Sequence, residues 1–160
     1  MTLNNKVVAN VVDFINLEAD LLDHKNYEEW LQMWTDDGVY IVPIDTQATD
    51  FENTVNFAYD DAEMRRLRVA RLLGGESISS VALDKTVRSV SRFRLLEESE
   101  TMVRVRCAMI LTEVRTGNLL TYPGDVEYIL LKQAEGLKIQ KKVVRLLHAA
   151  SRLATVAFIF

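Results

Sequence analysis

The sequence is poor in the residues that build disulfides, metal clusters and nucleophilic centres. Its 160 residues include one cysteine and two histidines, so neither an internal disulfide nor a cysteine-based metal cluster can form. No apolar run approaches the roughly 18 residues that a membrane-spanning helix needs, and the N-terminal residues do not resemble a secretory signal. Apolar residues make up 49% and charged residues 26% of the chain, as in globular proteins. We therefore expect a single domain, residues 1–160, in the cytoplasm, with no membrane partner.

Positive and negative charges are unevenly distributed along the chain. Residues 1–64 contain 14 acidic and 2 basic side chains, whereas residues 65–115 contain 6 acidic and 11 basic ones. This asymmetry could hold two parts of one protomer together or join two protomers. We do not expect nucleic-acid binding, because the arginines alternate with core residues and no recognition module is present.

The first half of the chain has the spacing of helices. Three are predicted: residues 5–24, a short helix that begins after Asn26 and is stopped by residues 36–38, and a third that runs from residues 60–61 to residues 74–75. Residues 39–42 should form a short strand that Pro43 ends. Residues 44–58 have no clear period and are predicted to be a loop.

From about residue 85 the apolar period changes to two. Val87, Phe93 and Leu95 should share one side of a first strand. In the next strand, Val103, Val105, Cys107 and other alternate residues should face the core. Two more strands follow at residues 119–132, with a bulge predicted at Pro123, and at residues 137–148. These patterns predict an α+β fold, a cystatin-like cone in which three N-terminal helices pack on a strongly curved antiparallel sheet.

A sheet of this shape encloses a pocket, and a few residues near its rim could carry acid–base chemistry. Asp37 and Asp45 lie close in sequence to Tyr40, and Tyr59 follows the loop. A carboxylate with a raised pKa can move a proton, and a tyrosine hydroxyl can stabilise an oxyanion. A stand-alone isomerase, dehydratase or cyclase would use such a pair. Alternatively, the doublets at residues 36–37 and 60–61 are helix ends.

Two observations on the interior of the protein would separate the alternatives. An open apolar cavity with an inward-facing aspartate beside a tyrosine or histidine would favour an enzyme. An interior filled by Trp30, Trp34 and Phe57 would exclude one. His24 and His148 lack the spacing of metal ligands, so no metal is expected, and a small-molecule binding or sensing module remains a third possibility.

Two segments carry distinctive motifs, YEEWLQMWTDDGVYIVP at residues 27–43 and YDDAEMRRLRVARL at residues 59–72. The first resembles a D-x-x-x-W-L-x-L-F-T-D-D-x-x-Y-x-x-P segment and the second a Y-D-D-x-x-x-L-x-x-R-V-x-R-L helix. Both belong to the small (beta) subunits of aromatic-ring-hydroxylating dioxygenases, a family within the SnoaL-like superfamily. The resemblance implies a non-catalytic structural subunit in aromatic compound catabolism. It implies no cofactor in this chain, because a large (alpha) subunit would hold both a Rieske cluster and a mononuclear iron.

The same resemblance implies a homotrimer or a three-plus-three hetero-oligomer, so subunit contacts are expected. Arg68 and Arg71 lie on a helix with more charge than a free surface helix needs, and we place them at a subunit boundary. The tail carries Phe158 and Phe160. These large apolar side chains should pack against the sheet or against a neighbouring subunit, because exposing each would cost about 1.5–3 kcal/mol.

Overall fold

The computed structural model describes residues 5–74, 85–148 and 159–160. Its elements are, in chain order, α1 (Asn5–Asp23), α2 (Tyr27–Gln32), β1 (Trp34–Pro43), β2 (Asn56–Asp60), α3 (Ala62–Leu73), β3 (Lys85–Glu98), β4 (Met102–Arg115), β5 (Asn118–Gln133) and β6 (Gly136–Leu146). The predicted α+β class is confirmed. One point differs, because β2, in addition to the predicted strand at residues 39–42, lies between the second and third helices.

The strands form one sheet in the order β2-β1-β6-β5-β4-β3. Neighbouring strands are antiparallel, except that β1 and β6 run parallel. The prediction of a purely antiparallel sheet is therefore wrong at this one pair. The parallel pair arises because β1 comes from the N-terminal half and joins the edge strand β6 of the later four-stranded meander.

Helix α1 packs on the sheet through a stripe of side chains spaced three or four residues apart. Val11, Ile15 and Leu22 on this stripe are buried, as the helical spacing predicts. Glu18 lies on the same stripe and is equally buried. A carboxylate in this position needs partners, since an unpaired buried charge is very costly.

The turn predicted to stop the second helix is part of β1. Helix α2 ends at Gln32, and residues 36–38 lie within β1, whose pairing with β6 is interrupted between Trp34 and Val39. A Cβ atom on Gly38 would lie 2.9 Å from the carbonyl oxygen of Ile139. Only glycine fits this close approach of two main chains. Asn26 occupies the position before α2, but its side chain makes no capping hydrogen bond.

The predicted loop is shorter than expected, because its last residues form β2. This strand pairs with β1 and places Asp60 opposite Tyr40. The two aspartates at residues 60–61 therefore have different roles. Asp61 caps α3 by accepting a hydrogen bond from the main-chain N–H of Met64 at 2.9 Å, whereas Asp60 belongs to the strand and is buried.

The alternation predicted for β4 is confirmed, and the bulge predicted in β5 is not found. Residues 103, 105, 107, 109 and 111 are all buried, whereas β5 pairs with β4 through Pro123 without a shift in register. The carbonyl of Pro123 accepts a hydrogen bond from the N–H of Leu147. The Pro123 nitrogen, which carries no hydrogen to donate, therefore faces the end of β6, where few main-chain hydrogen bonds are lost. The register of β3 shifts between Ser91 and Arg94 and again between Leu95 and Glu97, and another shift lies where β5 meets β6. Val87 is therefore exposed, whereas Phe93 and Leu95 are half-buried, and the prediction that these three share one side is wrong at Val87.

Candidate functional site

The space between the helices and the sheet, where a pocket was predicted, is filled by aromatic side chains. Trp30, Trp34 and Tyr40 are buried, and their rings meet edge to face with centroid separations of 5.5–6.4 Å. Such contacts add to the stabilisation from area burial. Phe57, the third residue of the criterion that would exclude an enzyme, lies on the outer side of β2 and is 37% exposed. The two tryptophans fill the interior and Phe57 does not, so that criterion is met in part.

A polar network lies within this apolar interior, and we call it the interior cluster: Glu18, Trp30, Tyr40, Tyr128 and Lys142. One carboxylate oxygen of Glu18 accepts hydrogen bonds from Trp30 Nε1 at 3.0 Å and Lys142 Nζ at 2.8 Å. The other accepts from the Tyr128 hydroxyl at 2.6 Å. Both charged side chains are 2% exposed. The Glu18 carboxylate is therefore well satisfied in an environment where each missing bond would be costly.

Burial shifts the acid–base properties of the interior cluster. It raises the pKa of Tyr128 well above its ordinary value, and the Glu18 charge raises it further. It lowers the pKa of Lys142, an effect that the neighbouring Glu18 carboxylate opposes. The pKa of Tyr40 is likewise raised by burial. The tyrosines are therefore held as neutral hydrogen-bonding groups rather than as titrating acids near neutral pH.

Residues Ile159 and Phe160 close the interior. Lys142 Nζ donates to the main-chain oxygen of Phe160 at 2.7 Å, and the Phe160 N–H donates to the Tyr40 hydroxyl oxygen at 2.9 Å. The Phe160 side chain is 4% exposed and meets the Tyr122 ring at 5.7 Å. It therefore packs against the sheet, one of the two predicted arrangements, and its place at a subunit boundary stays a prediction. Phe158 lies outside the described residues.

The four residues of the acid–base alternative do not converge. Tyr40 faces the interior, whereas Asp37 and Tyr59 line a cleft of about 400 Å³ on the outer face of the sheet. Asp37 is exposed, and a hydrogen bond from Thr35 lowers its pKa. Asp45 is exposed in the loop, where it accepts a bond from the Gln47 N–H.

The thiol and imidazole groups of the described residues are also poorly placed for chemistry. Cys107 is buried, and this burial raises the pKa of its thiol to about 12, so it is an inert core residue, as its position in the strand predicts. His24 and His148 are exposed. In the described ranges, no group of three or more histidine, cysteine, aspartate or glutamate side chains could hold a metal ion.

The arginines of α3 divide into inward-facing and outward-facing residues. Arg68 binds the buried Asp60 carboxylate through two nitrogens, at 2.5 and 3.1 Å. Arg65 is buried, lies 4.2 Å from the centroid of the Trp34 ring and donates to the Gly38 carbonyl. Arg71 is exposed. The expected carboxylate partner of Arg68 therefore exists, and it belongs to the same chain.

The sequence interpretation missed Glu18, Lys142 and Arg88. Glu18 sits at a core position of the α1 stripe, and Lys142 shares its strand face with Val144 and Leu146. Arg88 is buried opposite Leu111 of β4. The sequence signal for each was a charged residue at a position where the periodic pattern of its helix or strand calls for an apolar one. A charged side chain at such a position must have a buried partner.

Comparison with known proteins agrees with the resemblance read from the sequence. The model of the family described as ring hydroxylating beta subunit matches residues 17–152. The chain is 31% identical over 150 residues to the 2-halobenzoate 1,2-dioxygenase small subunit of Burkholderia cepacia, covering 90% of this chain and 91% of that protein.

Two solved structures resemble the fold. The beta subunit of benzoate 1,2-dioxygenase from Burkholderia mallei superposes with a TM-score of 0.79 at 22% identity, over 94% of this chain and 96% of that one. An NTF2-like protein with a cystatin-like fold from Novosphingobium aromaticivorans gives a TM-score of 0.66 at 18% identity, over 95% and 88%. The predicted cystatin-like architecture is confirmed. Among the described residues, no helix is long and apolar enough to cross a membrane.

Proposed function

The chain belongs to the ring-hydroxylating beta subunit family, and from that premise we propose that it is a non-catalytic structural subunit of an aromatic-ring-hydroxylating dioxygenase. The observation that carries the non-catalytic part is the closed interior. The polar groups of the interior cluster are bonded to one another and to Ile159–Phe160, and the rings of Trp30, Trp34 and Tyr40 fill the space beside them. Catalysis requires a catalytic group within hydrogen-bond distance of a bound reactant. In this protein the groups of the interior cluster are bonded to residues of the chain itself.

On this proposal the chemistry belongs to a large subunit that holds a Rieske cluster and a mononuclear iron. Iron of these two kinds needs cysteine, histidine and carboxylate ligands in defined sets, and the described residues of this chain offer no such set. The proposed assembly is a homotrimer or a three-plus-three complex with the large subunit, in the cytoplasm. The small subunit supplies contact surface and rigidity.

The acid–base alternative has one feature in its favour and one against it. The Glu18 carboxylate lies within hydrogen-bond reach of Tyr128, which is the kind of pair that an isomerase or dehydratase would use. However, the pair is sealed beneath Phe160, and the rim residues Asp37 and Tyr59 lie on the other face of the sheet. The geometry therefore supports the structural role better.

We expect the substitution Arg71→Glu to weaken assembly. Arg71 is exposed on α3 beside Leu67, which is 48% exposed, so the two form a charged and apolar surface that is available to a neighbouring subunit. Reversing the charge there should lower the fraction of oligomer at a given concentration about tenfold, since unfavourable charge contacts at an interface cost over 1 kcal/mol. Sedimentation velocity of the purified chain, alone and with its large subunit, measures this fraction.

The matched control is Arg66→Glu, an identical charge change on the same helix. The two positions are five residues apart, which places them about 140° apart around the helix axis. We expect the control to assemble as the unsubstituted protein does. Equal sedimentation of the two variants and the unsubstituted protein would show that Arg71 is not at a subunit boundary.

A further inference from the structure

Ile159 and Phe160 lie in the interior in the manner of a bound ligand. They are 0% and 4% exposed, although neither belongs to a helix or strand. Three of their main-chain polar atoms, the Ile159 oxygen and the Phe160 nitrogen and oxygen, are bonded to side chains. The surrounding protein therefore recognises them as individual chemical groups.

Three buried side chains from three different strands provide this recognition. Arg88 of β3 donates to the Ile159 carbonyl and also pairs with Asp23 at the end of α1. Tyr40 of β1 accepts from the Phe160 N–H, and Lys142 of β6 donates to the Phe160 oxygen. The three side chains thus offer a donor, an acceptor and a donor in a fixed order along the dipeptide. A dipeptide with the two residues exchanged could not match both the side-chain contacts and these hydrogen bonds.

The side chains of the dipeptide complete the match. The Phe160 ring meets the Tyr122 ring edge to face, and Ile159 is enclosed in the main hydrophobic core. Small-molecule sites in proteins have the same character, being mostly apolar with a few precisely placed polar groups. Here the polar groups are held in position by the Glu18 carboxylate, which fixes Lys142.

We propose that the interior is a binding site for an aliphatic–aromatic dipeptide that bears a terminal carbonyl group, and that the chain fills this site with its own residues Ile159 and Phe160. Covalent attachment gives these residues a high effective concentration at the site. An external molecule of the same class therefore cannot compete in the intact chain, and can bind once the two residues are removed. The proposal concerns the interior alone and does not depend on assembly with a large subunit.

The experiment adds N-acetyl-Ile-Phe to a variant that lacks residues 159 and 160. We expect a saturable rise of several degrees in its melting temperature, because a ligand that binds only the folded state stabilises it. N-acetyl-Phe-Ile, with the same composition and charge, should give no rise, and the intact protein should respond to neither. An N-acetyl-Ile-Phe amide arm shows whether a carboxylate or a neutral carbonyl is recognised.

Two further arms make the outcome decisive. In the shortened protein, Tyr40→Phe should weaken N-acetyl-Ile-Phe binding about fivefold, since one hydrogen bond is lost. Equal stabilisation by both dipeptides, or by neither, would overturn the proposal. If the shortened protein does not fold, hydrogen exchange in the intact protein decides. The Phe160 amide should exchange among the slowest of the chain, and exchange at the rate of a free peptide would refute the site.

Discussion

Replacing Lys142 with methionine should lower the free energy of unfolding by about 3–5 kcal/mol, the usual effect of breaking a buried ion pair by removing one partner. The ammonium of Lys142 lies 2.8 Å from a Glu18 carboxylate that is 2% exposed. Methionine fills a similar volume but leaves the carboxylate charge unpaired in the interior. It also removes the donor to the Phe160 oxygen. Urea unfolding followed by circular dichroism measures the difference.

The control for this prediction is the double variant Glu18→Gln with Lys142→Met. Its glutamine is neutral. The amide oxygen can accept the hydrogen bond from Trp30 Nε1, and the amide nitrogen, at the position of the other Glu18 oxygen, can donate to the Tyr128 hydroxyl oxygen. We therefore expect the double variant to be more stable than Lys142→Met alone. If the single variant is as stable as the unsubstituted protein, the interior cluster is not a paired charge network.

Replacing Arg68 with methionine should cost about 2–3 kcal/mol, the range for hydrogen bonds to a charged group. Asp60 is buried, and Arg68 supplies both bonds to its carboxylate. The effect should be smaller than at Lys142, because the Arg68 side chain is 29% exposed, so water can reach the site. Urea unfolding of Arg68→Met, Asp60→Asn and the double variant forms a cycle that isolates the pair.

The Arg68 result also bears on the assembly prediction. Reversing the charges of Arg68 and Arg71 together would confound loss of fold with loss of contact, because Arg68 supports the buried Asp60. Substitution of Arg71 alone therefore tests the subunit contact without disturbing Asp60. Should Arg68→Met keep full stability and yet lose its oligomer, Arg68 acts at a boundary and the pairing with Asp60 is secondary.

Patterns with a short period along the chain predicted much of the fold. The apolar spacing of α1 and the strict alternation of β4 follow from burial of one face of each element, and both are found as expected. The start of α3 at the Asp61 cap could likewise be predicted, because it depends on neighbouring residues alone. Family resemblance in residues 27–43 and 59–72 added the architecture, since those segments carry the residues that position β1 and α3.

The features that were missed depend on contacts between distant parts of the chain. Glu18 and Lys142 are 124 residues apart and meet only after the sheet has formed. The strand β2 has only five residues, too few to show a clear period, and gains its pairing from β1. The role of Asp60 as the partner of Arg68 needs that strand to exist first. Local periodicity cannot reveal such pairs, although a charge at a core position indicates that one exists.

Purification of the tagged chain after co-expression with the large subunit proposed as its partner tests the central claim most directly. We expect the large subunit to co-purify with its iron and the visible spectrum of a Rieske cluster. The chain purified alone should carry neither iron nor activity on aromatic compounds. A stable monomer that fails to bind the large subunit, or that converts a small organic substrate by itself, would contradict the account.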